Sequence, residues 1–427
     1  MLKVVAICLV LISGIDLNAL TLKDLFQALR KQPVSRVDEE VAKMAKVAKN
    51  KVQSAYYPKV NIFGAYTHYN SPTNLRPLDP VTTAKLNAKG EALPFAKTIQ
   101  KIGVKVDMPI FIKELSSLSE KAKHLVNGAK LKKQLNFFQN EAVVVGSNAS
   151  LEYLDSLLKA LKVTRYSLEK TKKDLTIAVN SGRTPAIALD KIEEKINQID
   201  IAINNVEIKR TTAISNIQKL TGIKLEKPVS LQMKNRVKRG DFFALKALRE
   251  TVEASKSDYK ASKQKRYYPK VAISLLWSEN YAQKDVKYAK DVHRGYGYYS
   301  LGVSMPLFDK TMDADMQIKK ITVMKNRMHL EKTREELIAN ADALWKQLKL
   351  LLNSEKLKKD NIEKEENLLK YAKIAYEKGR MTEEDYLRYE DAVVNSKSNY
   401  YEAVYRKWLT VAKLAVIYGN DLEGVFQ

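Results

Sequence analysis

The chain has 427 residues, 45% of them hydrophobic, with only 15 Gly and 11 Pro, so it is too apolar to remain disordered and long enough for several domains or one elongated one. A formal net charge of +25 raises nucleic acid as a partner, but the lysines are spread along helical segments as solvated faces and no nucleic-acid-binding motif accompanies them; an electropositive pore is the other reading. The single cysteine, Cys8, excludes a disulfide framework, and no later segment offers eighteen uninterrupted apolar residues for a membrane-spanning helix.

In chain order, Lys3 is followed by the apolar run "VVAICLVLISGI" and small residues at Asn18 and Ala19. The run is too short to span a bilayer and reads as a secretory signal peptide over residues 1–19. A helix is expected from Leu22 to Ala55. After Pro58 the sequence alternates, with Val60, Ile62, Gly64 and Tyr66 on one face. Before Pro109 the alternation returns, with Ile102, Val104, Val106 and Met108 against Lys101, Gly103, Lys105 and Asp107. Runs of about ten residues with one apolar and one polar face suit tilted transmembrane strands, and the only membrane-spanning structure then open to an exported chain is a β-barrel.

From Lys113 to Val179 there is no proline, and a helix that long spans roughly 100 Å at ~1.5 Å per residue. It breaks at "NSGR", and a return helix from Thr184 to Leu220 carries Ile192, Ile196, Ile199, Ile203 and Val206 in steps of four and three. That seam predicts side-by-side packing against long neighbours. The polar stretch 224–240 reads as a linker.

A helix from Asp241 to Arg266 then leads to "RYYPKVAIS", a near-copy of "AYYPKVNIF", with Tyr267 211 positions after Tyr56. The second landmark, "VSMPLF", answers "VDMPIF" with Pro306 197 positions after Pro109. The same offset carries Gly182 of "NSGRT" onto Gly379 of "EKGRM" and Gly222 onto Gly419. The chain is therefore expected to be a tandem duplication. The first repeat, 20–223, has a helix, a β-hairpin over 58–109 and a helical hairpin over 113–221. The second, 241–427, has a helix, a β-hairpin over 269–306 and a helical hairpin over 310–419. The first copy carries 14 more residues between its landmarks. Pro58, Pro109, Pro269 and Pro306 are placed at the strand–helix joints, where a residue without an N–H ends a ladder harmlessly.

Four strands cannot close a barrel, for which eight is the practical minimum, so the chain is expected to oligomerise with cyclic symmetry. The histidines are scattered without metal-ligand spacing, and no phosphate-binding Gly loop or Ser/His/Asp arrangement is present, so neither enzyme activity nor a cofactor is expected.

Duplicated units, each with a helix, two strands bounded by "YYPKV" and an "MPIF" or "MPLF" box, a very long helix, a Gly turn and a return helix ending in "LTG" or "IYG", resemble the outer membrane efflux protein (TolC) family over the whole mature chain. The resemblance implies a homotrimer with a twelve-stranded β-barrel in the outer membrane and an α-barrel extending into the periplasm. It implies a passive conduit in a tripartite efflux or type I secretion system, partnered by a periplasmic adaptor (membrane fusion protein) and an inner-membrane RND or ABC transporter. It makes Gly182, Arg183, Gly379 and Arg380 the tip that docks the adaptor, and Tyr376 and Asp385 gate residues. Arg388 stands where a second aspartate is expected, so an Asp385 ring would be partly neutralised. Lys101, Lys105 and Asp107 would line the barrel lumen. The competing classes are a periplasmic adaptor, which needs β-rich modules not found here, and a structural coiled coil of the envelope without a pore, which has no use for four amphipathic strands.

Overall fold

A computed structural model describes residues 20–91, 93, 95–282 and 292–426; the expected signal peptide with Cys8 lies outside the described residues. The elements are α1 (Leu22–Lys31), α2 (Pro33–Ser54), β1 (Lys59–Asn74), α3 (Pro80–Ala88), β2 (Phe95–Ile112), α4 (Glu114–Asn180), α5 (Ile187–Thr221), α6 (Phe243–Tyr267), β3 (Lys270–Ala282), β4 (Val292–Ser304), α7 (Lys310–Glu377), α8 (Glu383–Tyr418) and α9 (Leu422–Val425). No helix among the described residues is long and apolar enough to cross a membrane.

Two compact units are present, and each draws on both halves of the sequence. One contains the described residues up to Glu40 together with Leu131–Lys246 and the chain from Lys332 onward; the other contains Val41–Lys130 and Ala247–Glu331.

In the first unit the seam expected along the return helix is buried. Ile192, Ile196, Ile199 and Val206 of α5 pack on Leu154, Leu158, Leu161, Leu168 and Leu175 of α4, with Val394 of α8 joining them. Residues three and four apart share one stripe of a helix, so the two stripes interdigitate along their length. A second core forms where α1 and the C-terminal segment meet these helices: Leu25, Phe26, Val144, Val145, Ile217, Trp408, Leu414, Leu422 and Phe426 are buried together. The stretch read as a polar linker takes part, because Leu225 and Leu231 enter this core and Met233 bridges to Phe426. The N-terminal helix is not continuous as expected. Thr21 and Asp24 form a capping box at its start, and it ends at Gln32, whose extended backbone (ψ 154°) is the conformation a following proline enforces.

The second unit holds one antiparallel sheet in the order β1-β2-β3-β4. Pairing runs for 13 to 18 residues per strand rather than about ten, because polar residues such as Thr67, His68 and Thr98 continue the ladders beyond the alternating cores. The extra residues of the first copy include α3, capped by Asp79, whose carboxylate accepts the Thr82 N–H at 2.8 Å. Leu75 after β1 packs on Ala96, Ile99 and Ala282 as a small separate core.

Pro58, Pro269 and Pro306 lie between strand and helix. Pro109 does not: it lies inside β2, which continues to Ile112. There Pro109 faces Ala272 and Phe111 faces Val271, leaving Ile110 as the extra residue of a bulge. A bulge interrupts the ladder, so the N–H that proline lacks is tolerated. At the opposite joint Arg266 donates to the carbonyls of Pro306 (2.8 Å) and Leu307 (3.3 Å) and pairs with Asp313 at 2.9 Å, tying the end of α6 to the start of α7.

Glu141 of α4, 0% exposed, is buried near Arg30, Asp421 and Glu423. Burial, reinforced by Asp421 and Glu423 and opposed by Arg30 and the Leu422 N–H, pushes its carboxyl from 4.5 up to about 8. The folded chain therefore holds a proton that the unfolded chain releases above pH 4.5. Its contribution to stability is full below that pH, declines between 4.5 and about 8, and is gone above about 8. Thermal unfolding of the Glu141→Gln variant should lose this decline, which in the wild type amounts to at most about 5 kcal/mol.

Candidate functional site: the two faces of the sheet and the helix tips

Residues directly opposite one another in an antiparallel sheet share a face. The register aligns Ile62 with Val104 and Val104 with Trp277; Val60 with Val106, Val106 with Leu275 and Leu275 with Tyr299; and Ile273 with Leu301 and Val271 with Val303. From these residues to the strand–helix joints one face is thus apolar across all four strands, with Glu279 and His293 only at its far end, and it is uncovered: Ile62 is 79% exposed and Tyr299 86%. Among the described residues nothing covers it.

The other face is polar over most of its length. Lys101 stands between Ala65 and Asn280, Lys105 between Asn61 and Leu276, and Asp107 between Lys59 and Ser274. Asp107 accepts from the Ser274 hydroxyl at 2.6 Å and pairs with Lys105 at 3.1 Å, whereas Lys101 has no carboxylate among its strand neighbours. The three expected lumen residues therefore share one side of the sheet. Gly103 on this face cannot gain a side chain: a Cβ would lie 2.5 Å from the Trp277 carbonyl oxygen.

The helix tips lie in the other unit. Gly182 (φ 70°) and Gly379 (φ 67°) both take the left-handed conformation that ends α4 and α7. The hydrogen bonds around them are the same in both copies. Gly182 N–H donates to Val179 and Arg183 N–H to Ala178; Gly379 N–H donates to Tyr376 and Arg380 N–H to Ala375, each at 2.9 Å. These are two Schellman caps, and no other atom lies within 4 Å of a Cβ built at either glycine.

Of the expected gate residues, Tyr376 stacks on Tyr386, with centroids 5.0 Å apart and planes at 15°. Asp385 is drawn into the cap of α8, where its carboxylate accepts from the Thr382 hydroxyl at 2.7 Å and its N–H donates to Thr382 Oγ1 at 3.2 Å. Arg388 reaches Asp385 at 3.6 Å and Glu384 at 3.2 Å, so the neutralisation of Asp385 occurs within one helix turn. Such exposed pairs are worth well under about 1 kcal/mol.

Three residues at the tip escaped the sequence reading. Tyr386 is the stacking partner of Tyr376, its hydroxyl donates to Glu390 at 2.7 Å, and Ser167 of α4 donates to the same carboxylate oxygen. Burial, together with the bond to Glu390, pushes the Tyr386 hydroxyl up to about 12, against the contact with Ser167. Ser167 and Glu390 are 223 positions apart, and no local pattern links them. The histidines find separate partners, His124 with Glu250, His293 with Glu279 and His68 with Thr98; among the described residues no group of side chains could hold a metal ion.

No protein-family model matches this chain, and no curated protein matches it in sequence. Solved structures do match in three dimensions. The CmeC outer membrane channel of Campylobacter jejuni superposes with TM-score 0.76 at 13% identity, over 94% of this chain and 85% of that one. The outer membrane protein VceC of Vibrio cholerae gives 0.77 at 12%, over 93% and 95%. The open state of the Neisseria gonorrhoeae MtrE outer membrane channel gives 0.76 at 13%, over 95% and 90%. The chain has the fold of these channels, in which a β-barrel is joined to a helical barrel.

The glycine caps differ in what surrounds them. At Gly182 and Gly379 an alanine pays only for left-handed backbone, about 1–2 kcal/mol, with no clash. At Gly419 (φ 68°) a Cβ would also lie 2.5 Å from the Phe243 ring, adding about 1–3 kcal/mol of overpacking. Thermal unfolding should therefore show Gly419→Ala as clearly more destabilising than Gly182→Ala or Gly379→Ala.

Proposed function

We propose that copies of this chain close into a ring to form a channel through the outer membrane, continued into the periplasm by its long helices. In this reading it serves as the passive conduit of a tripartite efflux or type I secretion system. The observation that carries the reading is the apolar face running in register across four strands and left exposed by the single chain. Such a face needs lipid or a second apolar layer.

The unpaired edges argue for the ring. β1 and β4 each lack a partner on one side among the described residues, and an unpaired edge in lipid costs several kcal/mol per polar group. Seating β4 of one copy against β1 of the next satisfies both. The helices continuous with those strands support the same contact. α2 leads into β1 and exposes Val41, Met44 and Val47; α7 leaves β4 and exposes Ile318, Ile321, Met324 and Met328. Each set steps by three or four residues, so each forms one stripe that a neighbouring copy would cover. Two copies reach the eight-strand minimum, and three make the twelve-stranded barrel that the resemblance implies.

Within this assembly the tip residues Gly182, Arg183, Gly379 and Arg380 are assigned to docking a periplasmic adaptor that links the channel to an inner-membrane RND or ABC transporter. Tyr376, Asp385 and Arg388 are assigned to the gate. The matching caps at Gly182 and Gly379 support the reading of the chain as a tandem duplication. Transport of this kind requires no catalytic group, and energy is supplied by the inner-membrane partner.

The faces give the first test. Tyr299→Arg places a charge on the proposed lipid side in the middle of β4 and should cost about 2–4 kcal/mol near the bilayer midplane, lowering the yield of assembled protein in outer-membrane fractions. Ser300→Arg, one residue on and on the opposite face, should assemble normally. Equal effects at the two positions would favour the structural coiled coil without a pore.

The lumen gives the second. Repetition around the ring makes circles of Lys101 and Lys105, offset among the described residues of that face by Asp107. Fixed charge in a narrow aqueous passage concentrates counter-ions, within a screening length of about 10 Å at 0.1 M salt. Reversal potentials in planar bilayers should therefore show anion preference at low salt that fades as salt rises. Replacing Lys101 and Lys105 together by Glu should shift the preference toward cations.

A further inference from the structure

Near the helix tips α4, α7 and α8 surround a groove of about 570 Å³, and Glu390 of α8 lines it. Glu390 is only 5% exposed. One of its oxygens, Oε1, accepts from Ser167 on α4 and from Tyr386 on α8, the latter at 2.7 Å; the other, Oε2, is buried with no hydrogen-bond partner. A buried carboxylate is normally tied to a cation, and among the described residues Glu390 has no ion-pair partner within 4 Å. The surrounding charges are otherwise engaged or exposed. On α8, Asp391 pairs with Lys195 of α5, and Lys397 pairs with Glu366 of α7 at 2.7 Å. Lys159 of α4 and Lys370 and Lys373 of α7 also line the groove and are exposed to solvent.

We propose that Glu390 is a proton-controlled latch: neutral, it keeps α8 packed on α4 beneath the Tyr376–Tyr386 pair, and ionised, it loosens that packing. Both hydroxyl hydrogen bonds can be made to either form but are stronger to the ion, so the difference between the two states is the cost of burying the charge less that gain. Burial holds Glu390 above its ordinary value of 4.5, opposed by the bonds from Ser167 and Tyr386 and by Lys373, and reinforced by Asp391. A raised value means that the packed state is the one that keeps the proton. Packing at this point is therefore strongest under acid conditions and weakens as pH rises through the value of the packed state. Because Tyr386 donates to Glu390 and stacks on Tyr376, loosening also frees the tyrosine pair. The consequence for transport, a tip that opens more readily as pH rises, rests on the proposed gate.

Hydrogen exchange of the full-length assembled protein in detergent tests the latch without reference to transport. The reading is the protection of backbone amides over residues 386–397, corrected for intrinsic rates, from acid to mildly alkaline pH. Protection in the wild type should fall with rising pH by about tenfold for each unit by which the packed-state value exceeds that of the loosened state. Glu390→Gln should abolish the fall. Ser167→Ala and Tyr386→Phe each keep the carboxylate but remove a bond that favours the ion, so each should move the fall to higher pH. These two variants also carry the test should the glutamine variant fail to assemble. Identical pH profiles in the wild type and Glu390→Gln, or an unmoved fall in both donor variants, would overturn the proposal. Open probability in planar bilayers, recorded over the same pH range, separates the latch from the gate: protection that follows pH while conductance does not leaves the latch standing and removes Tyr376 from the gate.

Discussion

Among the described residues the sheet has two unmet demands at once, an exposed apolar face and two unpaired edges. Either demand could be met alone inside a soluble protein, by a covering helix or a capped edge. In the proposed ring both are met at once, the face by hydrocarbon and each edge by an identical neighbour. The bulge at Ile110 and the cluster around Arg266 follow from the same demand, because each strand must pass into a long helix without leaving backbone groups unpaired beside an apolar surface.

The helices face a milder form of the problem. α4 and α5 bury a full seam against one another, whereas α7 leaves Leu350, Leu357, Leu368 and Tyr371 exposed and α2 buries no side chain at all. A single chain is thus well packed along one helical pair and half-packed along the rest. In the proposed ring, neighbouring copies would cover the remainder.

Two buried carboxylates stand out against a surface otherwise rich in exposed ion pairs. Glu141 lies where α1 and the C-terminal segment close over α4, beside two further acids, and Glu390 lies where α8 crosses α4 near the tips. Their surroundings differ in kind. Glu141 is enclosed by a fully formed core, so its proton contributes to holding the fold together. Glu390 borders an open groove and touches the stacked tyrosines, so its charge can be relieved by a small local movement.

Much of this was legible in the sequence because it depends on short-range periodicity. Alternation over Ile102–Met108 placed lysines 101 and 105 with Asp107 on one side of a strand, and steps of four and three from Ile192 to Val206 marked the buried seam. A glycine followed by arginine in both copies marked the left-handed caps. These features are set by the geometry of one strand or one helix and require no knowledge of what packs against it. Where a local rule was followed too far, a longer-range feature intervened: Pro109 was read as the end of a strand, yet a bulge carries the strand past it, and the proline at position 33 divides a helix whose apolar pattern runs straight through. The order of the strands, the contiguity of the apolar face, the entry of Leu225 and Leu231 into the core, and the meeting of Ser167 with Glu390 were decided only by tertiary structure. Each joins residues dozens to hundreds of positions apart, and the energy that selects those contacts, burial of apolar area and pairing of buried polar atoms, exists only once the segments have been brought together.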